Sequence, residues 1–229
     1  MSIGPFQFSF FGFQLPALGF GRAILLIFGM AILVGCQPGS PEVVKIGLVA
    51  PFEGENRDIG YDGIYAARLA IREFNESQQA GNSDIRVALV ALDDSGNGDI
   101  AAGNAQALAA DPAIIAVVGM GSEATRLIGA ENFARSGISF LHTGVIPFEP
   151  VPPESLPKDF AERYAAVTPF DEEAGPEAAS VYDAFDLIFA GIDQIKANNQ
   201  KITAENMAEI LKSVKITGIT GRSISLNPE

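Results

Sequence analysis

The sequence predicts an α/β protein built on a doubly wound parallel sheet with flanking helices, and three observations carry the prediction. Four apolar runs of strand length recur at residues 43–49, 85–92, 113–118 and 138–141. The stretches between them place apolar residues at helical spacing. Glycines, aspartates and serines gather at the carboxyl ends of the runs, where an open α/β sheet forms its ligand crevice. Strands that alternate with helices must run parallel, because each crossover needs a helix to return the chain to the same edge of the sheet.

The first run, VVKIGLV at 43–49, ends at Pro51 and Gly54, and a helix is expected from about Asp62 to Phe74 with Ile64, Ala67, Ile71 and Phe74 on one face. Ile85 to Leu92 forms the second strand, closed by DDSGNGD, and a second helix runs from about Ile100 to Ala109 until Asp111-Pro112 stops it. The organising stretch is AIIAVVGMGSEATRLIGAENFARSGISFLHTGV at 113–145. It reads as a fully buried strand (Ala113–Val118), a turn at Gly119 and Gly121, a helix from Glu123 to Arg135 capped by Ser122, and a fourth strand over Ile138–Leu141.

The rhythm then breaks. Residues 145–159 hold five prolines and are expected to be irregular. Helices follow at Phe160–Ala166, at about Pro176–Lys196 and at Ala204–Val214 behind a Thr203 cap. Ala178, Val181, Phe185, Ile188, Ile192 and Ile195 share one face of the long helix, which should cover the sheet. The tail GITGRSISL suggests a turn and a short edge strand.

Residues 1–35 are of another character, with seven of the sixteen Phe, no acid and the apolar run AILLIFGMAILV after Arg22. Twelve residues match the apolar region of a signal peptide and are too short to span a bilayer. The charge of −13 becomes −14 once Arg22 is removed with this leader, which argues against nucleic acid and anionic lipid as partners. One cysteine, Cys36, excludes an internal disulfide, and one histidine, His142, leaves no pair for a His-based metal centre. Neither a metal nor a cofactor is expected.

LVGC at 33–36 resembles the lipobox of bacterial lipoproteins, with Cys36 as the lipidated residue and 36–42 as a tether to the cell membrane. KIGLVAPFEGENRDIGYDGIYAARLAIREFN, the Asp93-Asp94 pair, LAADPAIIAVVGMGSEAT, YDAFDLIFAGI and GITGRSISL, in this order, resemble the substrate-binding proteins of branched-chain amino-acid ABC transporters, the type I periplasmic binding proteins. The resemblance implies an extracytoplasmic, non-catalytic solute-binding lipoprotein that serves an ABC permease and binds a branched-chain or other amino acid, or a related small polar solute. That family has two lobes. Here the proline-rich join stands where nearly all of the second would be, so residues 43–145 and 153–229 are expected to form one lobe. A sensor or scaffold lobe that kept the fold and lost the ligand is the second reading.

In the resembled family a Ser at the start of the third helix, and an Ala and a Thr just after the fourth strand, hold the ligand's carboxylate and ammonium. The resemblance therefore makes Gly121, Ser122, Glu123, Thr125, Thr143 and Gly144 the candidate ligand residues. Glu123 stands where the family has a second Ser, and an acid there opposes an incoming carboxylate. Ser122 reads equally as a plain cap, and Thr125 as a surface residue of the first turn. Gly119, Gly121 and Ala124 also satisfy GxGxxA, the dinucleotide fingerprint, but that motif needs an acid at the end of the next strand and His142 stands there. His142 itself reads as a polar strand-end residue, Asp93 and Asp94 as loop caps, and Tyr182 and Asp183 as packing residues without chemistry.

Overall fold

The computed structural model describes residues 41–227; the leader and Cys36 lie outside them. Four strands, β1 (Glu42–Ala50), β2 (Ile85–Asp93), β3 (Ile114–Gly119) and β4 (Ser139–His142), form one parallel sheet in the order β2-β1-β3-β4. Every residue of β3 is buried, as is required of a strand covered on both faces. Helices α1 (Arg57–Ala80), α2 (Gly98–Ala109) and α3 (Glu123–Ser136) are the crossovers. The doubly wound class expected from the runs is the one observed. The order reverses between β1 and β3, which sets the crevice at their carboxyl ends.

After β4 the chain is irregular except for one turn of 3-10 helix at Pro153–Ser155. Then come α4 (Lys158–Ala165), α5 (Ala178–Ala197) and α6 (Ala204–Ile210), and a two-stranded antiparallel ribbon of β5 (Ile216–Thr217) and β6 (Ser223–Ile224). The tail therefore corrects the expected edge strand. Ser223–Ile224 pair with Ile216–Thr217 and not with the main sheet, and Asp183 of α5 fastens the ribbon by accepting the Ile219 N–H at 2.7 Å.

The core has two layers. On one face Ile46, Leu48 and Ala50 of β1 meet α1 and α5, where Phe74 and Phe189 stack with ring centroids 4.3 Å apart. On the other, Val49 and Val117 pack with Leu108 of α2 and Phe133 of α3. All six residues of the expected apolar stripe of α5 are fully buried, although the helix lies more against α1 than on the sheet. Ser122 and Thr203 cap their helices as expected, and Asn97, which the sequence reading did not name, does the same: each accepts a backbone N–H two or three residues ahead. The first helix extends beyond the expected range at both ends, because residues 57–61 and 75–80 are mostly polar and carry no apolar stripe that would mark them as helical.

The two chain pieces on either side of the join pack as one unit from Pro41 onward. Two acids of α1 reach across. Asp62 accepts the Tyr164 hydroxyl at 3.0 Å and the amides of Gly175 and Glu177 at 2.9 and 2.7 Å. Glu73 takes Arg163 through both carboxylate oxygens, at 2.6 and 2.7 Å, and the Tyr182 hydroxyl at 2.7 Å.

Candidate functional site

The site is made where β3 and β4 end. Beyond Gly119 the chain keeps one more ladder bond, from Met120 N–H to Val49 O at 3.0 Å, and then turns at Gly121, whose φ of +111° is a conformation other residues rarely adopt. A Cβ there would also stand 3.3 Å from Pro51 Cδ, so the loop after β1 closes on the turn. Ser122 is extended, its hydroxyl accepts the Thr125 N–H at 3.3 Å, and α3 begins. On the neighbouring strand Thr143 N–H continues the ladder to Gly119 O at 2.9 Å. Gly144, at φ +85°, then turns the chain into a short loop closed by Gly144 N–H to Phe148 O and Phe148 N–H to Val145 O, at 2.9 and 2.7 Å.

Between these turns lies an open cleft of about 250 Å³, lined by Gly121, Glu123, Arg126, His142, Thr143, Gly144 and Val145. Four of the six residues expected from sequence are here. The other two are not. Ser122 is engaged as the cap, and Thr125 is buried beneath, its hydroxyl donating to Ser122 O at 3.0 Å, so neither its ligand role nor the surface reading describes it. Thr125 instead lines a small gap of about 10 Å³ together with Phe133, Phe140 and His142. A further correction concerns Gly144: its amide is held by Phe148 and is not offered to a ligand.

Two residues change the electrostatics that the sequence suggested. Arg126, one turn along α3, brings its guanidinium to 3.4 Å from the Glu123 carboxylate, so the acid at the helix start is answered by a base in the same cleft. The pair is too exposed to contribute much stability, yet it makes the mouth of the cleft neutral. A basic residue three positions after the expected contact was the available signal. The second residue is His142, only 9 % exposed, with neither ring nitrogen partnered among the described residues. Burial lowers its pKa from 6.5 to about 4, with Arg126 adding to the effect, so the ring is neutral at physiological pH. The Thr143 hydroxyl, 1 % exposed, lies against the Glu177 carboxylate. A buried polar group left unpaired costs about 1–3 kcal/mol, so the His142 ring is a cost that the fold carries at this position.

Asp93 and Asp94 behave as loop caps. Asp93 accepts the amides of Phe52, Glu53 and Ser95, and Asp94 that of Gly96, which fixes the loop after β1. No group of three or more His, Cys, Asp or Glu among the described residues is arranged to hold a metal. A larger cleft of about 600 Å³ runs between the first turns of α1 and residues 172–177. Its Asp62 is committed to the ties described above, so the smaller cleft is the candidate. No helix among the described residues is long and apolar enough to cross a membrane.

Comparison with known proteins bears on the fold. Residues 43–153, just under half of the chain, match the family model described as periplasmic binding protein. No curated protein matches the chain. Among solved structures, the chain is similar to the branched-chain amino-acid transporter substrate-binding protein LivJ from Streptococcus pneumoniae, in complex with isoleucine, at 12% identity and a TM-score of 0.61, covering 79% of this chain and 91% of that one. It is similar to a leucine-binding protein, LivK, from Thermotoga maritima at 12% identity and 0.58, covering 78% and 90%. A third match, described as a possible leucine/isoleucine/valine-binding protein from Rhodopirellula baltica, is 21% identical at a TM-score of 0.42 and covers 49% of this chain, which spans 31% of that one. The fold is that of a type I periplasmic-binding-protein lobe.

Proposed function

Because residues 43–153 match the family model described as periplasmic binding protein, we propose that the chain is an extracytoplasmic solute-binding protein of the branched-chain amino-acid type, reduced to one lobe and held at the membrane by lipid on Cys36. The observation that carries the reading is the cleft at the carboxyl ends of β3 and β4, formed by the start of α3, where the first-turn amides of a helix present their N–H groups to an anion. In this reading Gly121 supplies the close approach, Glu123 and Arg126 set the charge of the mouth, and Thr143 and His142 line the buried end. Ser122 acts through the helix it caps. The ligand is a small carboxylic acid, an ABC permease is the partner, and no catalysis is involved.

Affinity should be low. A two-lobed binder gains affinity by closing on its ligand, where loss of water strengthens each charge-assisted hydrogen bond. One lobe leaves the ligand half in solvent, and ordering it costs several kcal/mol that the remaining contacts must offset. Calorimetric titration of the purified full chain with leucine, isoleucine and valine should return dissociation constants of about 1 mM or weaker. Micromolar binding of any of the three would overturn the one-lobe argument. The anchor is tested separately by mass spectrometry of the membrane fraction: the expected species begins at a lipid-modified Cys36, and an intact leader with a free thiol would refute it.

A further inference from the structure

We infer that the C-terminal ribbon of β5 and β6 is a pH-operated strap, closed over the core while Asp183 carries a proton and released when that carboxyl ionises. Asp183 lies on α5 and is 1% exposed, and its Oδ1 accepts the Ile219 N–H of the turn between β5 and β6. Its Oδ2 has no partner among the described residues, and a Cβ on Gly218 would collide with it, so the ribbon backbone seals that oxygen from water. The Thr220 hydroxyl of the same turn is also buried and unpartnered among the described residues. A buried carboxylate persists as an anion when several N–H groups or a paired base hold it, and one N–H is too few. The neutral acid keeps the Ile219 bond and sheds the charge.

The charged groups that face Asp183 do not supply the missing balance. Asp186, one turn on along α5, is a like charge and stands in turn near Glu73 and Asp193. Arg222 of the ribbon favours the anion, but its guanidinium is directed to Glu149 at 3.4 Å. Burial is the larger effect and raises the carboxyl to about 6. The rest of the ribbon is weakly held. Each strand has two residues, a ladder too short to be stable alone, and the Arg222–Glu149 pair is half exposed and contributes little. Ile224 seats the ribbon in the core, with Ile216 and Ile219 packed at its edge. Free of the ribbon, Asp183 titrates near the usual value of about 4. Between about pH 4 and pH 6 opening therefore releases a proton, and each unit of pH makes it up to about tenfold more frequent. Above pH 6 both states are ionised and the dependence ends.

Amide hydrogen exchange of the ¹⁵N-labelled full chain is the test, with Ile219 reporting the ribbon and Met120, bonded to Val49 O, reporting the main sheet. After division by the intrinsic exchange rates, the protection of Ile219 should fall about a hundredfold from pH 4 to pH 6 and level off above, with Met120 better protected throughout. The Asp183 carboxyl ¹³C signal should move over the same window, with its midpoint near 6. Asp183→Asn, which keeps an acceptor for Ile219 and cannot ionise, should make the Ile219 profile nearly flat. If Ile219 is protected as strongly as Met120, the ribbon opens only with the whole lobe and is no strap. If Ile219 protection is constant between pH 4 and pH 6, or falls equally in the variant, the Asp183 proton is not what holds the ribbon closed.

Discussion

His142 is a residue the fold would be more stable without. Its two unpartnered nitrogens are a standing cost, and replacing both by carbon removes that cost where the shape is nearly kept. His142→Phe should therefore stabilise the protein by about 1–2 kcal/mol at pH 7, a sign opposite to that of most core substitutions. The pH dependence adds a second signature. Below pH 6.5 the unfolded chain takes up a proton that the folded ring refuses until about pH 4, so the wild-type protein loses stability on acidification through that window. At about 1.4 kcal/mol per unit the loss is on the order of 3 kcal/mol. Asp183, buried and raised to about 6, works in the opposite direction: the folded state holds its proton more tightly, so that stability is present at acid pH and is lost as the pH rises through 6. The two offset each other in the wild type. Denaturant titrations of wild type and His142→Phe from pH 7 down to pH 4 should show the variant's advantage widening toward acid; a constant difference would mean that the ring is hydrated and titrates normally.

At the scale of elements, the turn from β3 into α3 carries the most information per residue. Ser122→Ala should cost about 1 kcal/mol by exposing a first-turn amide of α3, since the hydroxyl accepts the Thr125 N–H. An unchanged midpoint in denaturant titration would show that the hydroxyl is not the cap that holds this turn. Strands, crossovers and this cap were legible in the sequence because they rest on local patterns: β-branched runs, helical spacing, and a short polar side chain before a helix. What was not legible depended on contacts far apart in the chain. Nothing local indicates that Thr125 faces inward under Gly129 and Phe133, that Phe148 holds the Gly144 amide, or that the tail pairs with itself and is tied to Asp183. Arg126 was missed for a different reason. Its role depends on the charge of Glu123 one turn before it, and the motif at that turn drew the reading to the residues that match a pattern.

For the whole molecule, the question is whether the pieces on either side of the proline-rich join make one cooperative unit. The geometry answers through α1, which carries both Asp62 and Glu73 into the return segment. Asp62→Asn keeps one carboxyl oxygen and replaces the other with a donor, so one of the Gly175 and Glu177 amides meets an N–H in place of an acceptor. A charge-assisted bond of that kind contributes about 1.5–3 kcal/mol, and its loss should appear in full in the global unfolding free energy. Glu73→Gln should act in the same way through Arg163 and Tyr182, at the lower end of that range because the ion pair is partly exposed. The four tyrosines give the readout, since Tyr61 and Tyr65 lie on α1, Tyr164 and Tyr182 on the return segment, and there is no tryptophan to mask them. If the lobe is one unit, tyrosine fluorescence and far-ultraviolet circular dichroism should trace coincident transitions in the wild type and shift together in both variants. Separation of the two transitions in Asp62→Asn, with the dichroism of the sheet retained while the tyrosine signal is lost, would show that the return segment is only docked and that the lobe is two units in contact.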